Sequence, residues 1–319
     1  MNRKLAWIAA AGAAGFLLAG ALTFWLTRDR GYDPAFSTAV AEPAYRRGGP
    51  VVLFDEGHNN AYSVDSAYRP FARMLRHDGY LVRVSEGEIS AATLAPAQVL
   101  VIVAARGSND ANDAAAFTNA EASAISEWVL RGGALLLITD HWPFGAAMAP
   151  LGERFGVRMS RGLAADAAHA DAALGESHIV FSRENGLLGD HPITDGRNVG
   201  ERIERVLTFT GQALRGPADA ASFMRLSNTA TNAPPAAPQV ERRGRDVRMS
   251  MSYGEPAPAG GWAQGLAVRF GRGRIVVLAD AGMLRAQIDR SGAAIGMNRP
   301  GYDNRQLALN IMHWLSRLT

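Results

Sequence analysis

Short apolar runs recur through the first half of the chain, each followed within a residue or two by a polar cluster. Val51 to Phe54 predicts a strand, and Phe71, Met74 and Leu75 share one face of a helix expected from Tyr68 to His77. Gly79 stands where a helix C-terminal cap belongs. Tyr80 to Val84 and Val99 to Val103 predict two more strands. Thr118-Asn-Ala-Glu121 is a capping box that opens a helix with Ile125, Trp128 and Val129 turned inward. Arg131-Gly-Gly133 ends it, and Ala134 to Thr139 predicts the next strand. Strands alternating with helices imply right-handed βαβ units, hence an α/β fold with a doubly wound, mostly parallel sheet.

The second half is less regular. Met159 to Gly175 and Asn228 to Gly261, rich in Ala, Pro and Gly, read as long loops, whereas His178 to Phe181 and Arg205 to Thr210 predict strands. Leu266 to Phe270 and Arg274 to Ala279 flank Gly271-Arg-Gly273 as a hairpin. Asp303 is expected to cap a last helix carrying Leu307, Ile311, Trp314, Leu315 and Leu318 on one face. No internal repeat breaks the pattern, so residues 50–319 read as one domain and residues 31–49, aperiodic with two prolines, as a linker.

Ahead of that linker, Leu5 to Thr27 is an uncharged stretch between Met1-Asn-Arg-Lys4 and Arg28-Asp29-Arg30. It is long enough for one hydrocarbon core of roughly 30 Å, and longer than the apolar part of an ordinary secretory signal. Ala39-Val40-Ala41 resembles a cleavage site but lies far beyond Thr27. Residues 1–30 therefore read as an N-terminal transmembrane helix, an uncleaved signal anchor. The expected location is the bacterial cytoplasmic membrane, single-pass, with the main domain extracytoplasmic. A cleaved signal releasing a periplasmic protein is the alternative.

The formal net charge of +3 comes from basic residues dispersed among acids, which gives no footprint for nucleic acid. Absence of cysteine removes disulfides, zinc-thiolate sites and a thiol nucleophile. No Gly-x-Ser-x-Gly elbow, Gly-Lys-Ser/Thr phosphate loop, His-Glu-x-x-His helix or dinucleotide glycine fingerprint is present.

What remains are polar clusters at the ends of apolar runs. Open α/β sheets bind ligands just outside the carboxyl ends of their strands. Asp55-Glu-Gly-His-Asn-Asn60, Arg106-Gly-Ser-Asn-Asp110, Asp140-His141 and Asp280-Ala-Gly-Met283 are all expected there. Glu56 and His58 suit a metal ligand pair or an acid and base, or a turn that Asn59 and Asn60 stabilise. His141 beside Asp140 reads either as a base or ligand or as a histidine bonded within its loop, with Trp142-Pro143 as an apolar wall. Arg106 suits an anionic group or a surface ion pair, and Asp280 suits catalysis or a turn cap. His77, His169, His178 and His313 are expected to be exposed or structural. Arg242, Arg243, Arg245 and Arg248 are expected on a solvated loop.

Several phrases together resemble the class I glutamine-amidotransferase-like superfamily, and within it an exported bacterial family of unknown function. They are Phe54-Asp-Glu-Gly-His-Asn-Asn60, Tyr68-Arg-Pro-Phe71, Asp78-Gly-Tyr80 and Gly132-Gly-Ala-Leu-Leu-Leu-Ile-Thr-Asp-His141. Asp190-His-Pro-Ile-Thr194, Thr208-Phe-Thr-Gly-Gln212, Gly296-Met-Asn298 and Asp303 to Leu315 complete the match. The resemblance implies a flavodoxin-like sandwich in which Asp140-His141 occupies the position of a catalytic cysteine. Without that thiol, glutamine hydrolysis through a thioester is excluded. The trehalose-utilisation-type and β-galactosidase-associated branches likewise lack the cysteine.

Two functions follow as expectations. One is a tethered ligand-binding or scaffold module whose degenerate site is filled by internal hydrogen bonds. The other is a hydrolase or carbohydrate-processing enzyme in which Glu56, His58, Asp140, His141 and Asp280 line one pocket, with a divalent metal as a candidate cofactor. A small molecule or carbohydrate is the expected ligand in either case. Catalysis would fall to His141, Asp140 and Glu56, and ligand binding to His58, Asn59, Arg106, Trp142 and Asp280.

Overall fold

The computed structural model describes residues 32–107, 115–142, 144–236, 239–243, 246–250, 253–289 and 291–319, the stretches within 239–250 as backbone only. Its centre is a nine-stranded sheet. The strands are β1 (Val51–Asp55), β2 (Leu81–Ser85), β3 (Val99–Val103), β4 (Ala134–Ile138), β5 (Arg158–Met159), β6 (Leu214–Arg215), β7 (Ala221–Arg225), β8 (Ala263–Phe270) and β9 (Gly273–Leu278). The order β2-β1-β3-β4-β9 is parallel throughout. The hairpin partner β8 then runs antiparallel, followed by β6 and β5, with β7 also paired to β8.

Helices cover both faces. On one, α1 (Arg69–His77) and α4 (Asn304–Leu315) pack Phe71, Met74, Leu75, Leu307 and Ile311 against Val52, Phe54, Val101, Leu136, Ile138 and Val276. On the other, α2 (Asn119–Leu130) and α3 (Ala149–Glu153) pack Ile125, Val129 and Leu151 against Leu53, Leu100, Ile102, Leu135, Leu137 and Val277. Successive strand residues thus serve opposite cores, which is why β3 and β4 are buried along their whole length and read as unbroken apolar runs. The capping box at Thr118 and Glu121 is formed as expected.

Three regions depart from the sequence-based expectation. Residues 32–49 have no regular elements, yet they lie against the domain instead of forming a free linker. Phe36, Val40 and Tyr45 pack on the first core, and the Tyr45 amide donates to the Asp78 carbonyl at 3.1 Å. Burial of these apolar side chains outweighs the lack of periodicity. Gly79 allows the approach: its φ is +94°, and a Cβ there would meet the Tyr45 carbonyl oxygen.

The expected loops contain strands as well. Leu163–Ala165, Thr231–Ala233 and Ala257–Pro258 form a small sheet, and Gln239–Arg243 pairs with Asp246–Ser250. Arg242, Arg243 and Arg248 therefore lie on a hairpin. Such short pairings depend on tertiary neighbours more than on alternation, so they leave little trace in sequence. Asp303 precedes α4, but its carboxylate accepts from the Glu204 and Arg205 amides (2.9 and 3.0 Å) instead of capping the helix.

The stretch Leu5–Thr27 lies outside the described residues. Among the described residues no helix is long and apolar enough to cross a membrane.

Candidate functional site

Parallel pairing sets Ile138 beside Leu278, so two residues later Asp140 and Asp280 leave neighbouring strands at the same level. Both side chains are buried. Asp140 accepts from the His141 amide at 2.7 Å and the Ala281 amide at 3.2 Å. Asp280 accepts from the Gly282 amide at 2.7 Å and from the Phe209 amide. The two acids thus stitch the ends of β4 and β9 to each other and to the loop at Phe209. Burial, reinforced by the Asp280 charge, pushes the Asp140 carboxyl well above the usual range. Burial also raises Asp280, to about 6, against the pull of the Phe209 and Gly282 amides.

The loop that follows is held from several sides. Gln212 Nε2 donates to Thr139 Oγ1 and to the Asp140 carbonyl, both at 2.8 Å. His141 Nδ1 lies 2.7 Å from the Trp142 carbonyl and 2.7 Å from the Tyr253 hydroxyl. Its Nε2 points to Asp140 Oδ1 at 3.7 Å, beyond hydrogen-bond reach. Burial lowers the His141 pKa, partly offset by the Trp142 carbonyl, so the ring is neutral near pH 7. Trp142 is itself buried, as expected of an apolar wall.

Sequence reasoning missed three residues beside the acids. The Tyr68 hydroxyl donates to the Ala281 carbonyl at 2.8 Å. Tyr62 is half-buried near Asp140 and its hydroxyl is pushed up to about 12, by burial first and then by that charge. The Arg285 guanidinium lies 4.7 Å from the Tyr62 ring centroid and draws both aspartates back toward ionisation. The only sequence signal for Arg285 is its position shortly after Asp280, and Tyr62 gives none.

The end of β1 is built differently. His58 lies between Asp55 Oδ1 at 2.7 Å from Nδ1 and Glu121 Oε1 at 2.9 Å from Nε2. Burial alone would depress its pKa, but the two carboxylates outweigh that and raise it. Two acceptor-only partners require both ring nitrogens to carry protons, so this is an imidazolium. Glu121 also serves the Thr118 cap and the Ile89 amide, which against the cost of burial bring it to about 2.

Glu56 accepts from the Val64 amide at 2.6 Å, and partial burial raises its pKa. Asn59, at φ +52°, holds Arg106, whose Nε and Nη2 donate to its carbonyl and Oδ1 at 3.1 and 3.2 Å. The Arg106 charge also lowers the Tyr62 pKa slightly.

The structure therefore brings Asp140, His141, Trp142 and Asp280 together, while Arg106 and Asn59 pair with each other after β3 and β1. Glu56 and His58 are engaged by partners on the β1 side, the Val64 amide for the one and Asp55 and Glu121 for the other. Among the described residues, no three His, Asp or Glu side chains converge as metal ligands. Ser108, Asn109, Asp110 and Pro143 lie outside the described residues. Of the other five histidines, His77 bonds Thr38, His169 bonds Asp166, His313 bonds Asp78 and His191 Nδ1 accepts from the Ile193 amide.

No family model and no curated protein matches the chain. Among solved structures, the mmIFT52 N-terminal domain superposes with a TM-score of 0.58 at 12% identity, covering 83% of this chain and 97% of that one. A ThuA-like protein from Bacteroides uniformis gives a TM-score of 0.43 at 12% identity, covering 89% and 95%. A GMP synthase-like protein from Thermoplasma acidophilum gives 0.43 at 11% identity, covering 85% and 96%. The first likeness concerns the fold alone, a mixed α/β architecture with a mostly parallel central sheet.

Proposed function

We propose that the chain is a ligand-binding or scaffold module on an amidotransferase-like sheet, tethered by its N-terminal apolar segment to the bacterial cytoplasmic membrane with the domain outside. One observation carries the binding reading. The acids at the carboxyl edge of the sheet, Asp140 and Asp280, commit all four carboxylate oxygens to backbone amides. His141 likewise commits Nδ1 inside its own loop. A carboxylate acting as acid or base needs an uncommitted oxygen facing its substrate, and here those oxygens hold the strand ends in place, while His141 keeps only Nε2 without a hydrogen bond. The tether rests on the sequence of Leu5–Thr27.

The ligand class is a small molecule or carbohydrate approaching the polar border of Tyr62, Arg106 and Arg285. A thermal-shift screen of sugars and small carboxylates on the full chain in detergent should find stabilising ligands that are recovered chemically unchanged. Sustained turnover of a glycoside or ester that disappears in Asp140→Asn would overturn the binding reading in favour of a hydrolase. For the tether, the protein should stay with the membrane pellet after an alkaline wash. Its recovery as a soluble periplasmic form starting near Glu42 would reject the anchor.

A further inference from the structure

The opposite, amino-terminal edge of the sheet carries a charge cluster that the proposed function does not use. A cleft of about 610 Å³ opens between the C-terminal end of α2, the β8–β9 turn and the residues after α4. Five arginines line it: Arg131, Arg269, Arg272, Arg274 and Arg317. Hairpin register sets Arg269 directly across from Arg274. Like charges facing each other across two strands destabilise a sheet, so the fold maintains this pair at a cost.

Part of the cluster has a structural task. Arg274 Nη1 donates to the Trp314 and Thr319 main-chain oxygens, its guanidinium stacks on Trp314, and Arg317 Nη2 donates to the Gly132 and Arg272 carbonyls. Arg131 meets Glu127 at 3.4 Å, an exposed pair. That leaves much of the charge uncompensated. Arg269 and Arg272 form no side-chain hydrogen bond or ion pair among the described residues, and Arg274 Nε is buried without a partner. Burial, then repulsion from Arg317 and Arg269, lowers the Arg274 pKa.

The turn itself is held firmly. A Cβ on Gly273 would strike the Val129 carbonyl, and one on Gly271 would strike Leu130, so β8–β9 lies flush on the end of α2. Guanidinium forks with unused donors match the oxygens of a phosphate, which they bind in pairs. We propose that this cleft binds a phosphate group, with Arg269 and Arg272 as its main uncommitted donors. The described chain begins at the other edge, where the Asp33 amide donates to the Ala286 carbonyl and Arg69 at the start of α1 bonds Tyr32. The cleft thus faces away from the attachment point of the preceding segment, which favours a free phosphate over the headgroup of a lipid.

Calorimetric titration of the full chain in detergent, with pyrophosphate and separately with glycerophosphoglycerol, tests this and distinguishes the two sources. Saturable pyrophosphate binding is expected, weaker at higher salt. It should fall at least about tenfold in Arg269→Ala/Arg272→Ala with no loss of melting temperature, since relief of the Arg269–Arg274 repulsion can only raise it. Arg269→Lys/Arg272→Lys, which keeps the charge but loses the forks, should fall between the two. Preference for glycerophosphoglycerol would support the site and assign it to a lipid headgroup. Equal pyrophosphate binding by wild type and the alanine pair, or no saturable binding of either probe, would overturn the proposal.

Discussion

At the end of β1 and at the end of β4 the chain places an aspartate close to a histidine, and in sequence the two sites look interchangeable. In the fold, His58 is an imidazolium clamped between Asp55 and Glu121, so it joins β1 to the first turn of α2. His141 is a neutral ring bonded to its own loop and to Tyr253, while its Asp140 turns away to pair with the neighbouring strand. Where acids converge on an imidazole, the charge is internal structure. Where two acids converge on each other, burial keeps a proton on the pair. The residue types are the same, and the sign of the local charge balance decides their roles.

Removing His58 tests the first half of that contrast most severely. His58→Ala would leave Asp55 and Glu121 buried without their cation and would vacate the ring face against Phe117. Breaking a buried ion pair from one side costs about 3 kcal/mol or more. Urea denaturation should show a loss of that order. A loss below about 1 kcal/mol would mean that the clamp is not structural. The wild-type advantage should also shrink as pH rises. His58 has a folded pKa above its ordinary 6.5, so its contribution is complete below that value and fades as pH climbs through the raised one.

The aspartate pair titrates in a different window. Folded Asp280 sits at about 6 against an ordinary 3.8, and Asp140 is likewise raised well above 3.8. Folding therefore retains protons that the unfolded chain releases above about pH 4. Stability from the pair is complete below that point and is lost as pH rises through 6, by about 3 kcal/mol for Asp280 alone. Asp140→Asn removes one charge and its repulsion. Its melting temperature should fall less steeply between pH 4 and 7 than that of the wild type, as scanning calorimetry would show. Parallel curves would break the claim that these two carboxyls share one electrostatic environment.

The layout of the central sheet was legible because parallel strands buried on both faces leave continuous apolar runs such as Val99–Val103, and because a capping box at Thr118 marks its helix locally. The acids at strand ends were legible for the same reason: each interrupts such a run. What each acid does was not, since its partner is distant in sequence. Glu121 reaches His58 across 63 positions, Asp280 takes the Phe209 amide across 71, and Gln212 holds the Asp140 carbonyl across 72. The Thr208-Phe-Thr-Gly-Gln212 phrase was visible, but its work on the Asp140 loop appears only when β4 and β9 lie side by side. Residues 32–49 were misread for a related reason. Aperiodic chain can still bury Phe36 and Tyr45 when a core face is left open for them.

The weakest link in the contrast is the Tyr253 hydroxyl, half-buried over His141. It is raised to about 12, by burial and then by Asp140, so it stays protonated and can donate to the Trp142 carbonyl at 3.1 Å. That carbonyl already has the His141 Nδ1 at 2.7 Å, so losing the hydroxyl strands no buried group. Tyr253→Phe should therefore cost about 1 kcal/mol or less in urea denaturation. A larger loss would show that His141 depends on Tyr253 as His58 depends on its two carboxylates, and the distinction between the two strand ends would narrow.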